Sequence, residues 1–143
     1  MTLDEAKYVL LTTYRRDGTA LSSPVWFRVA DDVLEVVIAN GDVKLKHLAR
    51  HRDCSLTIFE AVPPFRGVEV RGSPELLVGD VTAARAAIAG RYLAPEVAGR
   101  FVAQRDPTAT LLRIGLAGAR CWDLSAILPS HRTGPDATNA LQG

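Results

Sequence analysis

The residues with the most chemical potential lie between positions 42 and 52. Lys44, Lys46, Arg50 and Arg52 are basic, and His47 and His51 stand among them. They follow Asn40-Gly41-Asp42, where Asp42 reads as a helix N-cap and Leu45, Leu48 and Ala49 share one face of a helix ending near His51. A helix start already carries about half a positive charge, so two lysines in its first turn are poorly placed unless something negative sits there. Free N–H groups, the helix dipole and the lysines together make a site for an anion such as phosphate. The segment is not a P-loop, because no Gly-Lys-Ser/Thr ending follows. The same residues would also serve in an ordinary basic surface helix.

Other chemistries find less support. His47 and His51 are four apart and could grip a metal, but Leu48, Ala49 and Arg50 lie between them, with no Glu and with cations adjacent. They are expected to be exposed or to face the anion, and no metal is expected. Ser22 and Ser23 lack a Gly-x-Ser-x-Gly setting. Glu69 and Glu75 read as strand-face and turn carboxylates. Trp26 and Trp122 read as core or interface residues, with contact to a planar cofactor ring the alternative for Trp26.

The elements that must position these residues are mainly strands. Residues 8–14 are β-branched and aromatic and end at Arg15-Arg16-Asp17-Gly18, a hairpin signal. The partner strand spans 21–29, with Pro24 marking an edge or bulge. A turn at Ala30-Asp31-Asp32 leads to a third strand over 33–39. After the helix, 54–59 returns to strand, followed by the rigid loop Val62-Pro63-Pro64-Phe65. Residues 68–72 alternate apolar and charged, and Leu76-Leu77-Val78 extends that strand to Gly79. Asp80 should cap a helix carrying Val81, Ala84 and Ile88, and Pro95 should open a shorter one carrying Val97, Phe101 and Val102. Residues 110–114 and 120–124 close the fold. Six or seven strands with helices at the connections suit a small antiparallel barrel.

With 143 residues, one domain is expected, over 1–128, followed by a polar, mobile tail over 129–143. The formal net charge of +1 gives no whole-protein case for nucleic acid or membrane, and aromatics amount to only 6%, too few for a base-stacking surface. The acidic N-terminus has no secretory character and no window is apolar enough to span a bilayer, so a cytoplasmic protein is expected. Cys54 and Cys121 are then small core residues rather than a disulfide.

Three segments in order carry a resemblance: Ser23-Pro24-Val25-Trp26-Phe27, then Gly41-Asp42-Val43-Lys44-Leu45-Lys46-His47-Leu48, then Pro63-Pro64-Phe65-Arg66-Gly67-Val68-Glu69-Val70-Arg71-Gly72. The chain resembles the pyridoxamine 5′-phosphate oxidase-like flavin-binding split-barrel superfamily, above all the branch that uses the deazaflavin coenzyme F420. Arg91-Tyr92-Leu93 and Trp122-Asp123 fit that branch too, and the likeness covers about residues 5–125. It implies a mainly β fold with peripheral helices, a six- to seven-stranded antiparallel split β-barrel. It also implies a homodimer with the cofactor in the cleft between subunits. By position, Lys44 matches the phosphate-binding lysine, and Ala39 and Asn40 end a strand lining the cofactor. Ser23, Pro24, Val25, Trp26 and Arg28 belong to the strand beside the ring system, and Pro64 and Phe65 to a loop near the cleft.

The departures carry information. Ser23 and Val43 stand where oxidases of this fold have arginines, and their C-terminal arginine-containing segment does not follow Trp122. Vitamin B6 oxidation is therefore not expected. The favoured activity is hydride transfer from reduced F420 to a small unsaturated or heterocyclic acceptor. FMN is the alternative cofactor, and a non-catalytic flavin- or heme-binding protein the alternative function. No side chain stands out as a catalytic proton donor.

Overall fold

Alternating burial sets the architecture. In β1 (Val9–Tyr14), Val9, Leu11 and Thr13 are fully buried while the residues between them are only partly so, the period-two signature of a strand with one face on the core. The computed structural model describes residues 8–127; the tail expected over 129–143 lies outside them. Among the described residues there are nine strands and three helices: β1, β2 (Ala20–Val25), β3 (Arg28–Ala30), β4 (Val33–Ile38), α1 (Val43–Arg50), β5 (Cys54–Phe59), β6 (Gly67–Gly72), β7 (Glu75–Asp80), α2 (Thr82–Ala89), α3 (Pro95–Ala103), β8 (Thr108–Gly115) and β9 (Arg120–Trp122), then a 3-10 turn at Leu124–Ala126.

The strands form two antiparallel sheets, ordered β2-β1-β5-β6-β9 and β3-β4-β8-β7. Their inner faces share one core, with Val9, Leu11, Leu56 and Ile58 from the first sheet and Leu34, Val36, Leu112 and Ile114 from the second. A fully buried side chain of this size contributes about 1.5–3 kcal/mol. Phe27 and Leu48 plug the core from a bend and from α1. The result is the expected split barrel.

Two strands expected to be continuous are each divided between the sheets. The run 21–29 breaks at Trp26-Phe27 into β2 and β3, and 68–79 breaks after Gly72 into β6 and β7. A strand passing from one sheet to the other must leave its ladder at the corner, which raises the strand count above six or seven. Pro24 lies, as expected, on an edge strand, opposite Leu10. The Asp31-Asp32 turn takes φ values of 52° and 59°, the two positive values a type I′ hairpin needs.

Helix packing brings two corrections. His47, not Ala49, is buried beside Leu48 on α1, so this histidine is neither exposed nor anion-facing. The N-cap of α2 is Val81 rather than Asp80, whose carboxylate accepts the Thr82 N–H at 2.9 Å from one residue further out. Cys54 is a core residue whose thiol burial pushes up to about 12, whereas Cys121 on β9 is exposed, against expectation. Gly67 on β6 lies under the Trp122 indole: a Cβ there would fall 2.0 Å from a ring carbon. Among the described residues no helix is long and apolar enough to cross a membrane.

Candidate functional site

The start of α1 is built as the sequence indicates, but its charges are already engaged. Gly41 turns the chain with φ 84°, and Asp42 caps the helix, its Oδ1 accepting the Lys44 N–H at 3.0 Å. The Lys44 ammonium folds back onto the same carboxylate, 3.2 Å from Oδ2, and only 13% of its side chain is exposed. The Leu45 N–H is bonded to the Asp42 carbonyl. The helix start is thus less electropositive than expected, since a carboxylate sits where the anion was placed. Val43, half exposed, and Lys46 remain open at this end.

α1 is tied to the barrel by its histidines. The His47 Nδ1 meets the Thr13 hydroxyl at 2.9 Å in the interior, and the His51 ring packs 4.9 Å from Tyr14. Among the described residues, no group of three His, Cys, Asp or Glu side chains could hold a metal. On the neighbouring strand, Ser23 lies opposite Leu11, two residues along β1 from Thr13. Its hydroxyl is buried with no hydrogen-bond partner among the described residues. An orphaned buried hydroxyl is costly and calls for a partner.

The bend between β2 and β3 carries Trp26. Its indole stacks on Tyr92 at 4.6 Å and 13° and leans on Phe101 at 5.2 Å. Phe27, which has left both ladders, donates its N–H to the Tyr92 hydroxyl at 3.2 Å, while the Arg91 guanidinium donates to the Phe27 carbonyl and lies over the Phe27 ring. Arg91 and Tyr92 therefore satisfy the backbone groups of the bend that presents Trp26.

Trp26 opens onto a half-enclosed cavity of about 380 Å³ between β4, α2 and α3. Of the residues expected at the cofactor, it gathers Trp26, Ala39 and Asn40; Ser23, Pro24, Val25, Arg28, Val43, Lys44, Pro64 and Phe65 lie outside its lining. The Asn40 amide is fixed by donating to the Thr108 carbonyl at 2.8 Å. Val37, Ile88 and Phe101 supply apolar wall, and Arg85 and Arg105 supply charge. Sequence reasoning missed both arginines. Arg85 had a signal: it is the one charged residue in Thr82–Ala89 and sits four positions after Val81, on the face that packs inward.

Three of the expected site residues, Arg28, Pro64 and Phe65, have other surroundings. Arg28 pairs with the buried Glu35 at 2.5 Å, and Glu35 also holds Arg113 at 2.8 Å, which reaches Glu75 at 3.1 Å. These four lie in register across β3, β4, β8 and β7. Its hydrogen bonds to the Glu35 carboxylate, then to that of Glu75, hold the Arg113 guanidinium above its ordinary pKa. Pro64 follows a cis Pro63-Pro64 bond in a turn closed by the Phe65 N–H on the Val62 carbonyl at 2.9 Å, with Glu60 and Arg66 paired across its base. Val62 and Phe65 project into solvent there, as does Phe59 at the end of β5.

The fold is thus a split barrel of two antiparallel sheets with a side cavity at a strand corner. The family described as pyridoxamine 5′-phosphate oxidase matches residues 2–123, and the chain belongs to it. Among solved structures, the conserved protein Rv2991 of Mycobacterium tuberculosis aligns with a TM-score of 0.76 and 21% identity, over 92% of this chain and 87% of that one. An F420 reductase aligns with 0.67 and 20% identity, over 82% and 92%. HutZ, the heme storage protein of Vibrio cholerae, aligns with 0.63 and 14% identity, over 81% and 86%. At these identities the likeness is one of fold. No curated protein matches the chain.

Proposed function

We propose that the protein is an oxidoreductase that uses reduced F420 to reduce a small unsaturated or heterocyclic acceptor. The observation that carries this reading is the meeting of Trp26, from the β2–β3 bend, with Ala39 and Asn40, from the end of β4, around one cavity. These residues come from two elements and match cofactor-lining positions of the family, so the cavity would open beside the cofactor ring rather than enclose it. The orphaned Ser23 hydroxyl and Lys44 fit an anionic, planar cofactor lying along β2 and the start of α1. Asp42 opposes it, and Lys44 must exchange its carboxylate for the ligand's phosphate. A serine rather than an arginine at position 23 favours the deazaflavin over FMN.

The bound cofactor would supply the hydride, as the chemistry of such enzymes belongs to the cofactor. The chain's own residues bind, orient and exclude water. Trp26 is held rigid by Tyr92 and Phe101, so its edge is a fixed wall. Asn40 is locked by Thr108 and presents its amide oxygen. The exposed Phe59, Val62 and Phe65 give an apolar surface for a second copy of the chain, in keeping with a homodimer whose cofactor lies between subunits.

Titration with F420, FMN and heme, followed by visible absorbance and calorimetry, tests the reading. F420 is expected to bind tightest, and the complex to be a dimer by sedimentation. Lys44→Ala should weaken F420 by about 1.5–3 kcal/mol, the worth of a charged hydrogen bond. Unchanged affinity in that variant would remove Lys44 from the site. Heme binding alone, with no uptake of either flavin, would overturn the oxidoreductase reading.

A further inference from the structure

Building on that reading, we infer that the cavity between β4, α2 and α3 takes a small planar monocarboxylate, the class of the acceptor, with Arg85 as its anion anchor. Arg85 is only 7% exposed. Its Nη1 donates to the Asp106 carbonyl at 2.7 Å, and among the described residues it has no other hydrogen bond and no carboxylate within ion-pair distance. A guanidinium carries five donors in a planar fork that matches a carboxylate. Among the described residues only the Ser23 hydroxyl is a sealed, unpartnered polar atom, so the other Arg85 donors open on the cavity, where an anion would balance a charge that one neutral oxygen leaves unpaired. The glutamate beneath the same sheet face, by contrast, is shared by Arg28 and Arg113.

The rest of the lining specifies the ligand further. Arg105 donates to the Phe101 carbonyl at 2.9 Å and stacks its guanidinium 3.4 Å from the Phe101 centroid. Asp106 brings one carboxylate, whose Oδ1 accepts the Thr108 N–H at 2.9 Å. Two guanidiniums against one carboxylate leave a single positive charge, which a monoanion balances. Trp26 and Phe101 offer ring surfaces, and Val37 and Ile88 an apolar wall. A volume of about 380 Å³ falls at the low end of small-molecule sites and suits one ring with a short conjugated arm.

Calorimetric titration of the full chain with trans-cinnamate and with its neutral counterpart cinnamamide tests this. Cinnamate is expected to bind at least tenfold tighter than the amide. Arg85→Met should bring cinnamate down to the affinity of the amide, and Arg85→Lys should restore part of the preference. Arg105→Gln, at an exposed position, should weaken cinnamate at least threefold while the chain stays folded by circular dichroism. Equal affinity for acid and amide, or variants that bind cinnamate as the parent does, would overturn the proposal. A second titration at saturating F420 or FMN separates the two possible sources of the anion. Undiminished cinnamate affinity supports an acceptor site, and competitive loss would assign the cavity to the cofactor instead. Acid-selective binding by a chain that takes up neither cofactor would sink the oxidoreductase reading while leaving the anion site in place.

Discussion

Asp42 caps α1 with one carboxylate oxygen and holds the Lys44 ammonium with the other. An incoming phosphate must compete with it for that lysine. Asp42→Asn keeps a side-chain oxygen for the Lys44 N–H but gives up the ion pair. It should therefore raise cofactor affinity by up to about fivefold, since a pair of this kind is worth roughly 0.2–1 kcal/mol. Calorimetry on the variant decides it; equal or lower affinity would mean the pair does not contend with the ligand. The capping role was legible in the sequence, because Gly-Asp before a helical apolar face is a local signal. The folding back of Lys44 was not, since spacing gives residue neighbours but not rotamers. His47 was misjudged for a related reason: its partner, Thr13, lies 34 positions away on β1.

The β2–β3 corner is the element on which the candidate site turns. Every residue from Leu21 to Val29 except the serines and Pro24 suits a strand, so nothing local marks the break at Trp26-Phe27. The break is held from outside, by the Tyr92 hydroxyl and the Arg91 guanidinium on the Phe27 backbone. Arg91-Tyr92 was visible as part of a family pattern but had no role until the corner was seen. Tyr92→Phe removes the acceptor of the buried Phe27 N–H and is expected to cost about 1–3 kcal/mol, the penalty for an unsatisfied buried donor. Urea unfolding measures that loss. The fluorescence of Trp26, followed in a chain with Trp122→Phe, should shift to the red as the bend loosens. A stable variant with unchanged emission would mean that packing alone holds the corner.

At the scale of the molecule, the barrel was readable because its strands are short β-branched and apolar runs and its turns carry Asp-Gly, Asp-Asp and Pro-Pro signals. The division of strands between two sheets was not readable, because pairing partners are set by tertiary contact. The cavity was equally hidden: its lining comes from the β2–β3 bend, β4, α2, α3 and the start of β8, and no single stretch contains it. Glu35 lies among apolar neighbours on β4 and is 4% exposed, with Arg28 and Arg113 as its counter-charges. Glu35→Gln should destabilise the fold by about 2–3 kcal/mol, through the charged hydrogen bonds weakened and the cations left facing each other. A loss below about 0.5 kcal/mol in urea unfolding would show that the row is incidental. The row acts in assembly as well as in strength. The smallest slip of β8 that keeps its apolar side inward is two residues, and it would set Glu35 against Leu111 or Gly115 instead of Arg113. A misaligned sheet would thus leave the buried carboxylate with Arg28 alone, so the row of four charges proofreads the alignment of the strands as they come together.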